Sequence, residues 1–239
     1  MSDNPYVVFD GGEYVVLYKP PCMHSASLKQ GETGALSAWC GENFPGFLAV
    51  RGKKAVEGGL LHRLDYETSG LVFAALTQRV MDAMLRQQEQ GLFIKEYEAV
   101  AVKAAAAPPG FPPRPVPCGG LPSEGGAVCV ESGFRFYGVG RKSVRPVPPS
   151  AGNSYKTEII GLPPEPDLGF TKGLSRIRLR LVRGFRHQIR CHLAWIGFPI
   201  RGDALYGGEA YPGTLALKAV RLTFTDPLNG DSKDIALDG

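Results

Sequence analysis

Residues 60–71 read LLHRLDYETSGL and place basic and acidic residues, small hydroxyl side chains and a glycine between two apolar runs. A plain structural segment rarely mixes these residue types so tightly. Residues 71–76 are wholly apolar and predict a buried strand. The corner at residues 68–70 can bend the backbone sharply, because glycine tolerates conformations that other residues avoid. We therefore expect Asp65 to lie on a turn anchored by a rigid strand, where catalytic groups are often found.

Two interpretations of this acid are open at this point. Asp65 can be a catalytic group, or it can form a local ion pair with Arg63 on a surface loop. The residues of this stretch alone do not decide between them.

The composition is that of an ordinary globular protein with a slight excess of cations. The chain has 239 residues, a formal net charge of +4 and a pI of about 8.8. This charge mildly favours a polyanionic partner such as nucleic acid, although many metabolic enzymes share it. The N-terminus lacks the pattern of a signal peptide, and no apolar run is long enough to span a bilayer. These features predict a cytoplasmic protein without membrane contact.

The five cysteines argue against a disulfide scaffold or a zinc ribbon. Their number is odd, and no two of them form a C-x-x-C pair. His187 and Cys191 fall one helical turn apart, but two ligands do not make a metal site and no acid lies close to them in sequence. The sequence therefore predicts no bound metal.

The remaining patterns predict strands and helices in one continuous domain over residues 1–239. Residues 104–126 are rich in proline and glycine and predict a long loop. Strand-like sequence resumes at Ala127, so we interpret this segment as a loop within the domain and not as a linker. A strand predicted over residues 93–102 puts Lys95 and Tyr97 on one face. A tyrosine there can also simply pack its ring and hydrogen-bond its hydroxyl.

Cations are concentrated in the last third of the chain. Residues 176–181 alternate arginine with apolar residues, which predicts a half-buried strand with a cationic face. Arg178 and Arg180 on that face suit a phosphate backbone, although solvated arginines explain the pattern as well. Arg186, His187 and Arg190 stand near the start of a predicted helix, where cations oppose the helix dipole. A carboxylate partner or RNA would explain their presence.

Several common catalytic patterns are absent from the sequence. It has no nucleophile elbow, no dinucleotide-binding glycine fingerprint and no P-loop. A sugar hydrolase needs two carboxylates across the scissile bond, and Asp65 has no obvious second acid, although Glu67 is not excluded. One aspartate, a tyrosine on the same strand face as a lysine and several arginines in a basic protein suit carboxylate chemistry on a polyanion.

These residues resemble the RluA-type family of RNA pseudouridine synthases over nearly the whole chain. The catalytic motif around Asp65 and the family's third motif, which the last two of the segments below make up, are together highly specific. The matching segments are, in chain order, Leu17-Tyr18-Lys19-Pro20, His62-Arg63-Leu64-Asp65-x-x-Thr68-Ser69-Gly70-Leu71, Lys95-Glu96-Tyr97, His187-Gln188-Ile189-Arg190-x-His192-Leu193 and Gly197-x-Pro199-Ile200-x-Gly202-Asp203-x-x-Tyr206-Gly207.

The resemblance implies a mixed α+β fold, with a bent, largely antiparallel sheet flanked by helices and loops and a central cleft. It implies isomerisation of uridine to pseudouridine in tRNA or ribosomal RNA, without a metal or cofactor. Asp65 would be the nucleophile or base on a flipped-out uridine, Arg190 would keep it ionised, and Tyr97 would stack on the uracil. The expected RNA-binding residues, with Arg63 filling the gap left by the flipped base, are Lys19, His62, Arg63, Lys95, Arg178, Arg180, Arg186 and His187.

Some positions depart from the family pattern. Arg183-Gly184-Phe185 stands where Thr-Gly-Arg is usual, and Lys218 and Asp226 each replace a common histidine. No room exists before Tyr14 for the S4-like module of many relatives, so we expect a stand-alone, monomeric catalytic domain on structured RNA. The competing hypothesis is an RNA-binding or RNA-chaperone protein that has lost catalysis, and a third is a sugar hydrolase.

Overall fold

The computed structural model describes most of the chain in two compact units. One unit is Met1–Lys95 with Lys218–Gly239, and the other is Glu96–Leu217. The prediction of one continuous domain is not tested by this division and stays a prediction. The described residues are 3–27, 33–52, 54–115, 121–163, 173–208 and 214–237.

The elements within the described residues alternate strands with a few helices. They are, in chain order, β1 (Tyr6–Asp10), β2 (Tyr14–Lys19), α1 (Leu36–Asn43), β3 (Ser69–Ala75), α2 (Gln78–Gln90), β4 (Ile94–Val102), β5 (Ala127–Tyr137), β6 (Ser143–Val147), β7 (Tyr155–Gly161), β8 (Leu174–Leu181), α3 (Gln188–Trp195), β9 (Leu217–Thr225) and β10 (Ser232–Ala236).

The first unit is a mainly antiparallel sheet with α1 and α2. Its strands run in the order β1-β2-β3-β9, and β10 pairs with β9 off this path; every one of these pairs is antiparallel except β3 with β9. Its core contains residues of the strands and of α2. Among them, Tyr14, Phe73, Met84 and Phe224 are all fully or nearly fully buried. The register pairs Lys19 with Gly70. The end of β2 is thereby set against the start of the strand that follows the Asp65 stretch.

Gly70 allows β3 and β9 to approach closely. Its φ is +119°, and a Cβ at this position would lie 2.1 Å from the carbonyl oxygen of Ala219 on β9. Any residue other than glycine at position 70 would therefore clash with β9 and disrupt the pairing of the two strands.

The second unit holds most of β4 and all of β5 to β8, in the order β4-β8-β7-β5-β6, together with α3. The pairs β5–β6, β5–β7 and β7–β8 are antiparallel. Phe134, Val144, Tyr155, Cys191 and Tyr206 form its core. The prediction of a mixed α+β fold with a largely antiparallel sheet is confirmed.

The proline-rich loop at residues 104–126 forms no helix or strand in its described parts, and residues 116–120 lie outside the described residues. The loop is tied to α3 and the residues after it. Trp195 donates its indole N–H to the carbonyls of Pro112 and Pro113, both at 3.1 Å, and the Ala104 amide donates to Gly197.

Candidate functional site

Asp65 lies at the start of a tight turn in the first unit. The Thr68 amide donates to the Asp65 carbonyl at 3.1 Å, and Leu61 is hydrogen-bonded to Phe73 on β3 at 3.1 Å. The bend occupies residues 65–68, so the expectation of a corner at 68–70 needs a correction. Ser69 and Gly70 already belong to β3. The unusual backbone conformation of Gly70 serves the close pairing of β3 with β9 and not the turn.

The residue before Asp65 is fixed by Ser25, a buried serine that the sequence did not single out. The Ser25 hydroxyl donates to the Leu64 carbonyl at 2.8 Å and accepts from the Leu64 amide at 2.9 Å. The Ser25 side chain therefore satisfies both polar backbone groups of Leu64. Ser25 as a whole residue is only 4% exposed. The backbone that presents Asp65 is held on both sides of the acid.

Lys19 is the buried cation of this turn. It is 0% exposed, and its Nζ donates to the carbonyls of Pro20 and Met23 at 2.8 Å and of Tyr66 at 3.3 Å. Burial lowers the pKa of Lys19 to about 8, while the negative charge of Asp65 acts in the opposite direction. The bond to Tyr66 ties the end of β2 to the residue after Asp65. The ammonium is enclosed by carbonyls and is not presented to solvent, whereas a direct RNA contact, which we expected for Lys19, would need it at the surface.

Arg63 takes Glu57 as its carboxylate partner, at 3.1 Å. Arg63 is thus paired with Glu57, whereas the alternative of a local ion pair between Arg63 and Asp65 stays a prediction. Glu57 is buried, but the Arg63 side chain remains 53% exposed. Its guanidinium is held at Nη1 by Glu57, and the side chain is still accessible, as an RNA-contacting side chain must be.

His62 has a structural contact within the same unit. Its Nε2 accepts from the Phe73 amide of β3 at 3.3 Å, and its ring lies 5.5 Å from that of Phe93. Because Nε2 accepts, this contact requires a deprotonated Nε2. The histidine of the motif thus ties its turn to the neighbouring strand.

Lys95 and Tyr97 share the buried face of β4, as predicted. Each is 6% exposed, and they alternate with partly buried residues along the strand. Lys95 is the last residue of the first unit, and its Nζ lies 6.0 Å from the Phe93 ring centroid. Tyr97 belongs to the second unit.

Arg190 on α3 forms a buried, bidentate ion pair with Asp203. Nε and Nη2 each lie 2.8 Å from a different carboxylate oxygen of Asp203. The same carboxylate accepts from the amides of Leu205 and Tyr206, and the guanidinium lies 5.6 Å from the Tyr206 ring centroid. Asp203 is therefore a carboxylate partner of the kind that we expected for a cation near the start of this helix. Asp203 was visible in the quoted motif but was given no role.

His187 and Arg186 stand at the start of α3. His187 precedes the helix in a left-handed conformation, with φ of 54°, and its Nδ1 lies 3.2 Å from the Tyr206 hydroxyl. Arg186 is exposed and donates to the Lys142 carbonyl at 2.9 Å.

The cationic face of β8 is largely compensated by acids. Arg176 and Arg178 donate to Glu98 of β4 at 2.9 and 2.7 Å, and Arg180 lies 3.8 Å from Glu158 of β7. The glutamates lower the net charge that this face offers to a phosphate backbone. Burial of Glu98 opposes ionisation, but the two arginines outweigh it and lower its pKa.

Asp226, one of the departures from the family pattern, has a place in the first unit. It accepts from the Tyr14 hydroxyl at 2.9 Å, and Lys233 lies 3.4 Å away. Backbone and side-chain hydrogen bonds lower its pKa against the effect of burial.

The described residues contain no group of three or more His, Cys, Asp or Glu side chains that is arranged to hold a metal ion. No helix within the described part of the chain is long and apolar enough to cross a membrane.

Comparison with known proteins matches residues 13–128 to a family described as RNA pseudouridylate synthase. Ribosomal large subunit pseudouridine synthase D of Vibrio parahaemolyticus is 28% identical over 188 residues, which are 72% of this chain and 50% of that protein. The Escherichia coli K12 protein of the same name is 28% identical over 187 residues, 72% of this chain and 49% of its own. This chain thus spans about half the length of these curated relatives.

Two solved human structures share the fold. Human RNA Pseudouridylate Synthase Domain Containing 1 superposes with a TM-score of 0.69 at 20% identity, covering 99% of this chain and 84% of that one. Human RNA Pseudouridylate Synthase Domain Containing 4 gives 0.62 at 18% identity, covering 97% and 87%. At this identity the likeness concerns the fold alone.

Proposed function

We propose that the chain is a member of the RluA-type family of RNA pseudouridine synthases and that it isomerises uridine to pseudouridine within RNA. The observation that carries the proposal is the Asp65 turn. Its backbone is fixed by Ser25 before the acid and by Lys19 after it, on the motif that resembles the family's catalytic one. Such support keeps a reacting carboxylate in one geometry, which catalysis requires.

We propose that Asp65 acts as nucleophile or base on a uridine flipped out of its RNA helix. Flipping is needed because the glycosidic bond is inaccessible within a stacked duplex. Tyr97 is proposed to stack on the uracil. Arg190 is proposed to keep Asp65 ionised, with Asp203 fixing the plane of its guanidinium.

The proposed substrate is structured RNA, either tRNA or ribosomal RNA, and the chain is proposed to act as a monomer in the cytoplasm. The names of the curated relatives favour ribosomal RNA. Arg63, Arg186 and His187 are proposed RNA contacts, because each is exposed or half-buried. Lys19 and His62 are proposed to act by holding the turn, since their polar atoms contact backbone groups.

Tritium release from RNA labelled at uracil C5 tests the activity. We expect the wild type to release tritium from a tRNA or large-subunit rRNA transcript, and Asp65→Asn and Asp65→Ala to release none while binding RNA nearly as well. Asp82→Asn is the matched control, because Asp82 is an exposed acid on α2 outside the turn. A fully active Asp65→Asn would overturn the assignment of Asp65.

The same RNA transcripts distinguish the proposed enzyme from the competing function, which is RNA binding without catalysis. It predicts that the wild type retains RNA on a filter but forms no pseudouridine in either transcript, even at enzyme excess. The buried ion pair of Arg190 and the retained Asp65 turn favour the enzyme.

A further inference from the structure

The β5–β6 hairpin of the second unit carries a strong local excess of positive charge. Residues 132–147 contain four cations and no acid, in a chain whose total net charge is +4. Residues 173–187, which lead into α3, also contain no acid. Because charges of one sign repel each other, a cluster of this kind usually meets an anionic partner.

Four of these cations form a patch at the tip of the hairpin and the start of α3. Arg186 donates to the Lys142 carbonyl at 2.9 Å, which joins the two segments. The Arg141 guanidinium lies 5.3 Å from the Phe136 ring centroid, and that of Arg183 lies 4.7 Å from the Tyr155 centroid. All four cations are exposed.

No carboxylate within the described residues pairs with these four cations. The three arginines contact aromatic rings, backbone carbonyls such as that of Gly152 for Arg183 at 3.0 Å, and, for Arg186, the His187 ring nitrogen at 3.5 Å. The arginines of β8 differ, because Glu98 and Glu158 lie against them. The free positive charge of this region is therefore at the hairpin and not on the strand.

An aromatic surface lies between the cations. Phe136 is 40% exposed, and its ring centroid lies 6.1 Å from that of Phe185. Phe185 is stacked on Phe134 at 5.1 Å and 8°. This gives Phe185, the departure from the usual Thr-Gly-Arg, a definite role as the support under an exposed ring.

The backbone at the tip is held in an uncommon conformation. Arg141 has φ of 54°, one of few non-glycine residues in the left-handed region. An L-residue in this region costs about 1 kcal/mol. Gly138 and Gly140 at the same tip also have positive φ, which glycine adopts without strain. Arg141 adopts a positive φ at an energetic cost.

We propose that this hairpin patch, formed by Phe136, Arg141, Lys142, Arg183, Phe185 and Arg186, binds the phosphodiester backbone of RNA. The proposal rests on the proposed function in that RNA is the ligand. The four cations neutralise phosphates and release their counterions, and Phe136 offers its face to an unpaired base. It enlarges the contact predicted at Arg186 from one residue to a surface.

The salt dependence of RNA binding tests the patch. We expect Arg141→Gln with Lys142→Gln to reduce the slope of log Kd against log salt by about 1.5 and to weaken binding about tenfold or more near 0.1 M salt, for two lost phosphate contacts. The probes are bulk tRNA and a large-subunit rRNA transcript. Arg141→Lys with Lys142→Arg keeps both charges and should retain most of the slope.

The matched control removes the same charge elsewhere. Arg86→Gln with Lys103→Gln changes two exposed cations outside the patch and should leave the slope near that of the wild type. Arg141→Gly adds a test in which misfolding is not expected, because glycine adopts the left-handed conformation without strain. It should weaken RNA binding with little change in melting temperature.

The outcomes separate this proposal from the proposed function. If the wild type binds RNA and the patch variant has an unchanged slope, the patch is overturned and the activity is untouched. An equal loss in the control pair also overturns it, because net charge would then explain the effect. A wild type without salt-dependent RNA binding would count against RNA as the substrate and so against the proposed function itself.

Discussion

Ser25 and Leu64 are joined by two hydrogen bonds in opposite directions, although 39 residues separate them in sequence. The hydroxyl donates to the Leu64 carbonyl and accepts from the Leu64 amide. This pair fixes the peptide that leads into Asp65, so an acid on a turn gains the rigidity of a buried contact.

Ser25→Ala should therefore lower kcat with little effect on KM. The change leaves the amide and carbonyl of Leu64 buried without these bonds, which costs about 1–3 kcal/mol of unfolding free energy. Loss of position at the reacting acid can reduce turnover about ten- to a hundredfold. Steady-state kinetics by tritium release, with urea unfolding alongside, measure both effects.

Ser37→Ala is the control for this variant. Ser37 is also buried, and its hydroxyl accepts from the Ser27 amide at 3.0 Å; its backbone amide donates to the Ser25 carbonyl, a bond that the alanine variant keeps. It should lose stability and keep kcat. Equal kcat values for the two variants would show that Ser25 serves the fold alone.

Lys19 predicts opposite pH effects on activity and on stability. Its pKa is lowered to about 8 by burial, whereas in the unfolded chain it is about 10.4. Between these values the unfolded state binds more protons, so this group raises the unfolding free energy as pH rises. Deprotonation also weakens the contacts to Pro20, Met23 and Tyr66, so turnover should fall above pH 8.

The difference between the wild type and Lys19→Met isolates these effects from other titrating groups. Turnover and urea unfolding are to be measured at half-unit steps from pH 7 to 10. The variant should have low turnover at every pH and lack this part of the rise in stability. An alkaline loss of activity that persists unchanged in Lys19→Met would assign the titration to another group.

The Arg190–Asp203 pair should be worth far more than an exposed pair of the same type. Asp203→Asn removes a carboxylate from a buried guanidinium and should lower the unfolding free energy by about 3–5 kcal/mol. Asp234→Asn breaks the Arg221–Asp234 pair, whose side chains are 39% and 52% exposed, and should cost less than about 1 kcal/mol. Urea unfolding at low and moderate salt measures both, and similar losses would contradict a buried role for Asp203.

Local patterns were sufficient for much of the fold. The alternation at residues 176–181 gave the buried and exposed faces of β8, and the period of two placed Lys95 and Tyr97 on the buried face of β4. Such patterns are reliable because side chains on a strand alternate between its faces. Strand β5 was predicted only over its first residues, since Ser132 and Gly133 interrupt its apolar pattern.

The sequence predicted the contact partners of the site residues less well than it predicted the strands. The Asp65 turn was expected from its own residues, but Ser25, Glu57 and Asp203 act through contacts that no local pattern marks. Lys19 shows the difficulty most clearly. Its partners are backbone carbonyls, which every residue has, so its burial could not be read from side-chain types.

His192 should make the protein lose stability in mild acid. It is fully buried on α3, with Nδ1 2.8 Å from the Thr157 hydroxyl and Nε2 2.9 Å from that of Ser132. Burial lowers its pKa to about 3, against about 6.5 in an unfolded chain. Between these values the unfolded state binds the extra proton, so the unfolding free energy falls as pH drops below about 6.5.

The expected slope from this one group approaches about 1.4 kcal/mol per pH unit below its unfolded pKa. Urea unfolding from pH 7.5 to 5 measures it above the range in which most carboxylates titrate. His192→Gln should be less stable at pH 7.5 but should lose less on acidification, whereas His24→Asn, which changes an exposed histidine, should follow the wild type. If His192→Gln and the wild type lose stability in parallel, the acid sensitivity lies elsewhere, and the buried histidine is not its source.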